Sequence, residues 1–312
     1  MAKLPKLVIF GDPQKKGVTE AVEQFQTFIK EKAEITGNYD VVHLQSTCLN
    51  NNRLSISANT EIHNVLKKCD YAVVFGGDGS IICTARLVSE ANVPVIGVNV
   101  GKLGFLAEFS VNELKNLFPD IIEGKVKIEK RMMLDCRIVD SRDKSEKFYA
   151  AAINDVYITA GPPFRMIELK MFVDGQPLAG CVSDGLIIST PTGSTAYNLS
   201  AGGPIVSPKM DAMVITPICP HSLTFRPIVI NANSTIEVVG VRVNDGTTVS
   251  VDGQVSLKLS SEETVKITKQ DSFFMIVKNP LLSQWDTLAA KLSWGEKPKY
   301  NKSLFLTGVL QK

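Results

Sequence analysis

The sequence predicts an α/β domain with a parallel sheet, an all-β sandwich after it, and a C-terminal helix that returns to the first domain. In the first 125 residues, short apolar runs alternate with segments of helical spacing, which is typical of βαβ units. From about residue 126 the chain becomes a series of short runs rich in Val, Ile, Thr and Phe. Turn signals such as "VDGQ" and "NDG" separate these runs, which favours a mostly antiparallel sandwich.

The elements of the first domain follow from these signals in chain order. "KLVIF" predicts a strand before the turn "GDPQKKG", and apolar residues at three- and four-residue spacing from Val18 to Ile29 predict a helix. After them come a strand ("YDVVHL"), a short helix ("EIHNVLKKC"), a strand ("YAVVF"), a helix ("IICTARLVSEA") and a buried strand ("VPVIGVNV").

The pattern of the second half of the sequence indicates where the domains divide. Short strands fill residues 126–279, interrupted by one helix-like island around Ser194 to Ser200. Helical spacing returns in "LLSQWDTLAAKLSW". We therefore predict an α/β domain over 1–125, completed by about 280–312, and a β-sandwich domain over 126–279.

Composition and charge exclude several classes of protein. With 44% hydrophobic and 21% charged residues among 312, the chain is typical of a soluble globular protein. Its net charge of +2 and the lack of a basic stripe argue against nucleic-acid binding. No apolar run approaches the roughly 18–20 residues of a membrane helix, and the six cysteines contain no C-x-x-C pair. We expect a cytoplasmic protein without a protein-bound metal centre.

A glycine-rich loop, in "VVFGGDGS", follows the third predicted strand. Glycines there let backbone N–H groups approach a ligand, and the following helix start adds positive dipole character, which suits phosphate. Gly76, Gly77, Gly79 and Ser80 are therefore candidate phosphate-binding residues, and Asp78 is the one carboxylate of the loop. The alternative is a plain strand-to-helix turn capped by Asp78 or Ser80. The spacing fits neither a P-loop nor a Rossmann fingerprint.

Four further stretches are candidates for ligand contact. "GVNVGKLGFL" is a second strand followed by glycines, and "AAAINDVYI" carries the polar pair Asn154 and Asp155, which could reach sugar hydroxyls or mark a bulge or strand end. "TPTGSTAYNLSAGGP" crowds hydroxyls and glycines into a turn, where Tyr197 could stack on a planar base. "DGQ" at 252–254 belongs to a site or to a simple hairpin turn.

Together these stretches resemble the NAD kinases. The family's Gly-Gly-Asp-Gly loop corresponds to residues 76–80, and its Asn-(Glu/Asp) pair corresponds to Asn154 and Asp155. Its "TPTGSTAY…SAGGP" stretch is present without a gap from Thr190 to Pro204. "PHSLTFRP", "DGQ" and "KLSWGE" follow in family order, so the matches span residues 76 to about 254 and the tail.

The resemblance implies transfer of a phosphoryl group from ATP to the adenosine 2′-hydroxyl of NAD⁺, with Mg²⁺ or another divalent cation, in a homo-oligomer (dimer or tetramer). It implies that Asp78 is the general base and that the backbone of Gly76, Gly77, Gly79 and Ser80 faces ATP phosphate. The implied NAD-binding residues are Asp78, Gly79, Phe105, Asn154, Asp155, Arg165, Asp184, Thr195, Ala196, Tyr197, Asn198, Leu199, Ser200 and Gln254.

Two positions depart from the family pattern. Ser80 stands where threonine is usual and keeps the hydroxyl, whereas Val182 stands where many relatives carry a basic residue, two positions before Asp184. One alternative function is a lipid kinase of the diacylglycerol or sphingosine type, which shares the Gly-Gly-Asp-Gly loop. The other is a non-catalytic NAD-binding sensor. "TPTGSTAYNLSAGGP" is not a lipid-kinase feature, and Asp78 argues against loss of activity.

Overall fold

The computed structural model describes residues 4–41, 49–50, 53–54, 60–101, 104–261 and 263–295. Its first sheet has six strands in the order β2-β1-β5-β6-β20-β7. All neighbours in this sheet are parallel except β20 and β7. These strands are β1 (Lys6–Gly11), β2 (Glu34–Asp40), β5 (Tyr71–Gly76), β6 (Val95–Asn99), β7 (Ile128–Arg131) and β20 (Phe274–Val277).

Helices cover both faces of this sheet, because its central strands are buried and apolar on both sides. The helices are α1 (Val18–Ile29), α2 (Thr60–Leu66), α3 (Asp78–Val88) and α4 (Val111–Ile122), with a 3₁₀ turn over Ser89–Ala91. The helices α1 and α4 pack on one face, where the rings of Phe25, Phe75 and Phe118 meet at centroid distances of 5.7 Å. The helices α2 and α3 cover the other face.

Two further sheets form the β-sandwich. One has the order β15-β14-β13-β10-β17-β18 and the other β12-β11-β16-β19-β8-β9-β4-β3. Neighbours are antiparallel except β4 and β9. The strands are β3 (Leu49–Asn50), β4 (Arg53–Leu54), β8 (Leu134–Asp140), β9 (Glu146–Ala152), β10 (Asp155–Thr159), β11 (Ile167–Val173), β12 (Gln176–Ser183), β13 (Gly185–Ser189), β14 (Ala212–Ile218), β15 (Ile228–Asn231), β16 (Ile236–Arg242), β17 (Thr248–Val251), β18 (Val255–Lys258) and β19 (Glu263–Lys269).

Three helical segments occur in the second half of the chain. A 3₁₀ turn (Gly193–Thr195) and α5 (Tyr197–Ser200) form the predicted island, and α6 (Gln284–Leu292) is the C-terminal helix. One continuous buried cluster extends from Val74 of the first sheet through Ile81 of α3 to Ile188 of the sandwich. The two parts of the chain therefore share a core on the face that carries α3.

The predicted fold class is confirmed, and α6 returns to the first domain, where Lys291 contacts Asp78. One strand is displaced: β2 begins at Glu34, whereas "YDVVHL" places it at 39–44, of which 42–44 lie outside the described residues. The largely polar "EITGN" forms part of an edge strand whose residues are exposed or half-buried, so it carries no apolar run to signal it.

Sheet membership differs from the predicted division in two places. The strands β7 and β20 belong to the first sheet although they come from 126–279, and β3 and β4 join the sandwich although they come from 1–125. Strand pairing is a non-local property that short runs such as "FMIV" do not specify. The division at 125/126 and 279/280 stays a prediction.

Candidate active site

The first glycine-rich loop is a tight passage from β5 into α3. Gly76 has a φ of 152°, and a side chain there would meet the Ser80 hydroxyl at 2.5 Å, so only glycine fits. Gly77 is the N-cap of α3 in extended conformation, without a side-chain cap. The helix is therefore not capped by Asp78 or Ser80. Asp78 is its first residue, and its carboxylate is directed elsewhere.

The Asp78 carboxylate joins the two glycine-rich loops. Its Oδ2 accepts the backbone N–H of Phe105 at 2.9 Å, and its Oδ1 accepts those of Leu106 at 2.9 Å and Ala107 at 3.3 Å. A side chain at Gly104 would overlap the carboxylate, so this close approach requires a glycine. The second loop thus fixes the orientation of the carboxylate.

A lysine of the C-terminal helix completes the surroundings of Asp78. The Lys291 Nζ lies 3.4 Å from Asp78 Oδ2 and 4.5 Å from the centre of the Phe105 ring. Both charged side chains are 28% exposed. A capping box formed by Ser283 and Asp286 fixes the start of α6.

A second lysine contacts the first glycine-rich loop. It comes from the N-terminal part of the chain, in the turn after β1. The Lys15 Nζ donates to the Ser80 hydroxyl at 3.0 Å and lies 3.7 Å from the Asp12 carboxylate. These three residues border a recess of about 250 Å³ together with Gly79 and Gln254. A cation, a hydroxyl and a carboxylate therefore face one open space beside the glycines.

A buried network ties α3 to the sandwich. Arg86 pairs with Asp252 at 3.5 Å, with side chains 2% and 0% exposed, and also donates to the Gln254 side-chain carbonyl. Gln254 donates in turn to the Gly79 carbonyl at 2.9 Å. The Asp252–Gln254 segment is therefore both a hairpin turn, with φ of 52° at Asp252 and 65° at Gly253, and part of the site.

The same carboxylate anchors the predicted Asn-Asp pair. Asp252 Oδ1 accepts the backbone N–H groups of Ile153 at 3.2 Å, Asn154 at 2.7 Å and Asp155 at 3.1 Å. Sequence reasoning missed Arg86 and this role of Asp252. The available signal was the lone arginine within the apolar run "IICTARLV".

The pair itself lies at the start of β10, so the strand-end alternative is what the backbone shows. Burial and, to a lesser extent, the neighbouring Asp252 carboxylate raise the pKa of the Asp155 carboxyl to about 8, although a hydrogen bond from the Tyr197 backbone N–H acts in the opposite direction. Asp155 can therefore donate a hydrogen bond at neutral pH. The Asn154 carbonyl accepts from Thr190 N at 2.8 Å, and a side chain at Gly193 would overlap it.

The 190–204 loop carries Tyr197 beside these carboxylates. The Tyr197 ring meets Tyr157 edge-on at 5.0 Å between centroids and is 38% exposed. Burial raises the pKa of the Tyr197 phenol, and Asp155 and Asp184 add to the rise. Tyr197 is therefore a partly exposed aromatic side chain near two acidic residues.

A cavity of about 140 Å³ separates this loop from α6. Phe105 of the second glycine-rich loop, Thr195 of the 190–204 loop, and Trp285 and Leu288 of α6 all line it. Ala196 and Leu199 are half-buried near Thr195, and Ser200 is exposed. Three segments far apart in sequence thus meet around one cavity beside Asp78.

Two predicted ligand residues stand apart from this cluster. Asn198 is fully buried; its amide donates to the Ser194 and Pro204 carbonyls at 3.1 Å and accepts from Thr216 Oγ1 at 2.6 Å. Its side chain therefore holds the loop together. Arg165 is exposed in the turn after β10, where its carbonyl accepts from Asn244.

Within the part of the chain that the structure describes, no helix combines the length and the apolar character that spanning a membrane requires. The same residues contain no group of three or more His, Cys, Asp or Glu side chains that could hold a metal ion.

Comparison with known families explains this arrangement. A family model described as the ATP-NAD kinase N-terminal domain matches residues 8–126, and one described as the ATP-NAD kinase C-terminal domain matches residues 153–279. The chain belongs to the NAD kinase family. Both glycine-rich loops fall within the N-terminal match, and the Asn-Asp pair, the 190–204 loop and Asp252 fall within the C-terminal match.

Curated relatives in the NAD kinase family extend over most of the chain. The NAD kinase of Geotalea daltonii is 39% identical over 78% of this chain and 85% of its own length. That of Rhodopirellula baltica is 34% identical over 93% of this chain and 87% of its own length. That of Trichlorobacter lovleyi is 41% identical over 74% of this chain and 80% of its own length.

Solved structures in the NAD kinase family share the fold. A crystal structure of yeast NADH kinase complexed with NADH has a TM-score of 0.78 at 25% identity, covering 96% of this chain and 90% of that one. An NAD kinase from Archaeoglobus fulgidus in complex with ATP has a TM-score of 0.68 at 23% identity, covering 92% and 98%. The second likeness concerns the fold alone.

Proposed function

We propose that this chain transfers the γ-phosphoryl group of ATP to the adenosine 2′-hydroxyl of NAD⁺, giving NADP⁺ and ADP, with Asp78 as the general base. The observation that carries the proposal is the Asp78 carboxylate, which three backbone N–H groups hold where both glycine-rich loops, α6 and the cavity at Phe105 meet. Family membership supports the type of reaction, and the contacts of Asp78 support its role as the base.

The surroundings of Asp78 suit one carboxylate oxygen for taking the proton. A ribose hydroxyl is a poor nucleophile until a carboxylate within hydrogen-bond reach accepts its proton. Asp78 Oδ1 accepts two backbone N–H groups, whereas Oδ2 accepts one backbone N–H group and the Lys291 ammonium at 3.4 Å. The second donor to Oδ2 is a flexible side chain, so Oδ2 can exchange it for the ribose hydroxyl. The rest of the task is positioning and charge neutralisation, which dominate phosphoryl transfer.

The donor phosphates have a suitable place beside Gly76, Gly77, Gly79 and Ser80. The recess lined by Gly79 and Ser80 presents the Lys15 ammonium, and the start of α3 adds positive dipole character. We propose that Mg²⁺ or another divalent cation arrives with ATP and neutralises charge on its phosphates. The Asp12 carboxylate and Ser80 hydroxyl at this recess are oxygen ligands of the type Mg²⁺ prefers.

The dinucleotide would occupy the other side of Asp78. The proposed NAD-binding role of Asn154 is supported by its side-chain amide, which has no partner among the described residues. Tyr197 is partly exposed, and Asp155 can donate a hydrogen bond. The remaining proposed NAD-binding residues are Asp78, Gly79, Phe105, Arg165, Asp184, Thr195, Ala196, Asn198, Leu199, Ser200 and Gln254, with Asn198 acting through the loop it holds.

We also propose a cytoplasmic homo-oligomer, a dimer or tetramer. Large apolar side chains exposed on the sandwich support self-association: Leu223 is 88% exposed and Phe164 73%. The thiols of Cys69, Cys83, Cys136, Cys181 and Cys219 are free, which is compatible with a reducing compartment. Size-exclusion chromatography with light scattering tests the assembly, and a monomeric mass at micromolar concentration would contradict it.

The reaction is tested by incubating pure protein with NAD⁺, ATP and Mg²⁺ and measuring NADP⁺. Asp78→Asn should keep NAD⁺ affinity and lose at least about 100-fold in kcat, because the amide cannot accept the hydroxyl proton. Near-normal turnover of this variant would remove Asp78 from its role. NAD⁺ binding without product would favour the sensor, and phosphorylated lipid would favour the lipid kinase.

A further inference from the structure

Among the described residues, a cation from the C-terminal helix contacts the proposed base. Lys291 Nζ lies 3.4 Å from Asp78 Oδ2, the oxygen proposed to accept the ribose hydroxyl proton. We propose that Lys291 is a catalytic residue, which pairs with Asp78 before substrates bind and then binds the phosphoryl group as it reaches the 2′-oxygen. This inference rests on the proposed function.

The chemistry creates a need for such a cation. The 2′-hydroxyl proton passes to Asp78 Oδ2, a bond forms between the 2′-oxygen and the γ-phosphorus, and ADP leaves with the electron pair of the broken P–O bond. Lys291 exchanges no proton in this step. While Asp78 is still ionised, the anionic γ-phosphoryl group must approach its carboxylate, and the phosphate of bound NADP⁺ faces the same carboxylate once Asp78 has released the proton. A positive charge beside Asp78 offsets the repulsion in both situations.

Distance places Lys291 on the acceptor side. An oxygen that hydrogen-bonds Asp78 Oδ2, at about 2.6–3.2 Å, would share this atom with the Lys291 ammonium, which lies 3.4 Å from it. The ammonium has three donors on a flexible stem, so it can keep Asp78 and gain a phosphate oxygen. It also lies over the Phe105 ring, which lines the cavity shared with Thr195.

Two other cations, on α3 and beside its first turn, are placed differently. The Arg86 side chain is 2% exposed and is occupied by Asp252 and Gln254. Lys15 is 51% exposed and contacts Ser80, on the side of the donor recess. Lys15 therefore suits the donor phosphates, and Lys291 suits the phosphate being formed.

The C-terminal helix is anchored well enough to position its lysine. Its first turn has a capping box, and Leu288, one turn before Lys291 on the same face, is 7% exposed. Trp285 and Leu288 line the cavity beside Phe105. The helix that closes this cavity is thus also the helix that carries the cation.

The test compares Lys291→Met and Lys291→Arg with the wild type in kcat and in the affinities for NAD⁺ and NADP⁺, measured by calorimetry. Lys291→Met should lower kcat and NADP⁺ affinity by about 10–100-fold, the scale of a lost charge-assisted hydrogen bond, and change NAD⁺ affinity less than about 3-fold. Lys291→Arg should recover part of both losses, because it keeps the charge. The control is Lys266→Met, whose lysine pairs with Glu237 at 3.9 Å in the eight-stranded sheet, and it should leave all values unchanged.

Three results would overturn the role of Lys291. They are unchanged kcat and NADP⁺ affinity in Lys291→Met, an equal loss of NAD⁺ and NADP⁺ affinity as expected for a helix that merely undocks, and a rise in kcat. If the methionine variant does not fold by circular dichroism, Lys291→Gln keeps a polar stem without charge and is judged by the same criteria. Absence of NADP⁺ formation by the wild type would instead refute the proposed function.

Discussion

The buried pair of Arg86 and Asp252 offers the sharpest test of how the site is held. The guanidinium and the carboxylate lie 3.5 Å apart with side chains 2% and 0% exposed. Replacing Arg86 with methionine leaves the Asp252 carboxylate buried without its cation and also removes a donor to the Val251 carbonyl. Breaking one side of a buried pair costs about 3–5 kcal/mol, and we expect Arg86→Met to lower the free energy of unfolding by that amount.

The pair also predicts a non-additive double variant. Asp252→Asn keeps a carbonyl oxygen for the backbone N–H groups of residues 153–155 but removes the charge. In Arg86→Met/Asp252→Asn the second change removes the very charge that the first leaves unpaired. The double variant should therefore be more stable than the sum of the two single losses by about 0.5–3 kcal/mol, the range for residues in direct contact.

Urea unfolding followed by tryptophan fluorescence and by circular dichroism measures these losses, and coincident transitions justify a two-state treatment. The control is Lys266→Met, whose surface pair with Glu237 should contribute only about 0–1 kcal/mol. Arg86→Met should also raise the KM for NAD⁺, because Asp252 positions the backbone of Asn154 and Asp155. Additive losses, or an Arg86→Met loss below about 1 kcal/mol, would refute the reasoning.

Three more changes test other parts of the site. Gly104→Ala should lower kcat by at least about 10-fold because its Cβ displaces Asp78, whereas Gly180→Ala, in open space, should not; equal kcat values would contradict this. Tyr197→Ala should weaken NAD⁺ binding by roughly 1–3 kcal/mol in calorimetry if the ring stacks on a base, and unchanged affinity would return Tyr197 to a packing role. The Asp155 carboxyl has a pKa of about 8 when folded and ionises near its ordinary 3.8 when unfolded, so its contribution to stability is lost as pH rises between these values. Asp155→Asn should remove that slope from urea unfolding, and a pH-independent difference from the wild type would contradict it.

Local sequence patterns predicted most of the first domain because strand and helix periods are local properties. They could not assign β7 and β20 to the first sheet, since "IEKR" and "FMIV" do not specify their partners. Nor could they place β2, whose polar residues form an edge strand. The positions of β2, β7 and β20 depend on which strands they pair with, whereas the remaining strands of the first sheet are recognisable from their own apolar residues.

The sequence likewise pointed to the glycine-rich loop around Asp78 but not to what holds it. The partners of this carboxylate are backbone N–H groups of residues 105–107, and every residue type except proline has one. The contact of Lys291 with Asp78 could not be predicted, because the pattern of its helix indicates only that one face packs against the protein. Asn198 shows the reverse: a family motif includes it, yet its amide is wholly occupied in holding the 190–204 loop together.

The contacts of Asp78 and Arg86 couple the geometry of the proposed base to the packing of the two domains against each other. Both residues lie on α3, Asp78 at its first residue and Arg86 in its last turn. Asp78 is held by the second glycine-rich loop and by α6, and Arg86 is held by the turn that anchors Asn154 and Asp155. A small shift of α3 would therefore move the base relative to the dinucleotide side of the site. Substitutions along this helix should lower kcat before they unfold the protein, because catalysis tolerates smaller displacements than folding does.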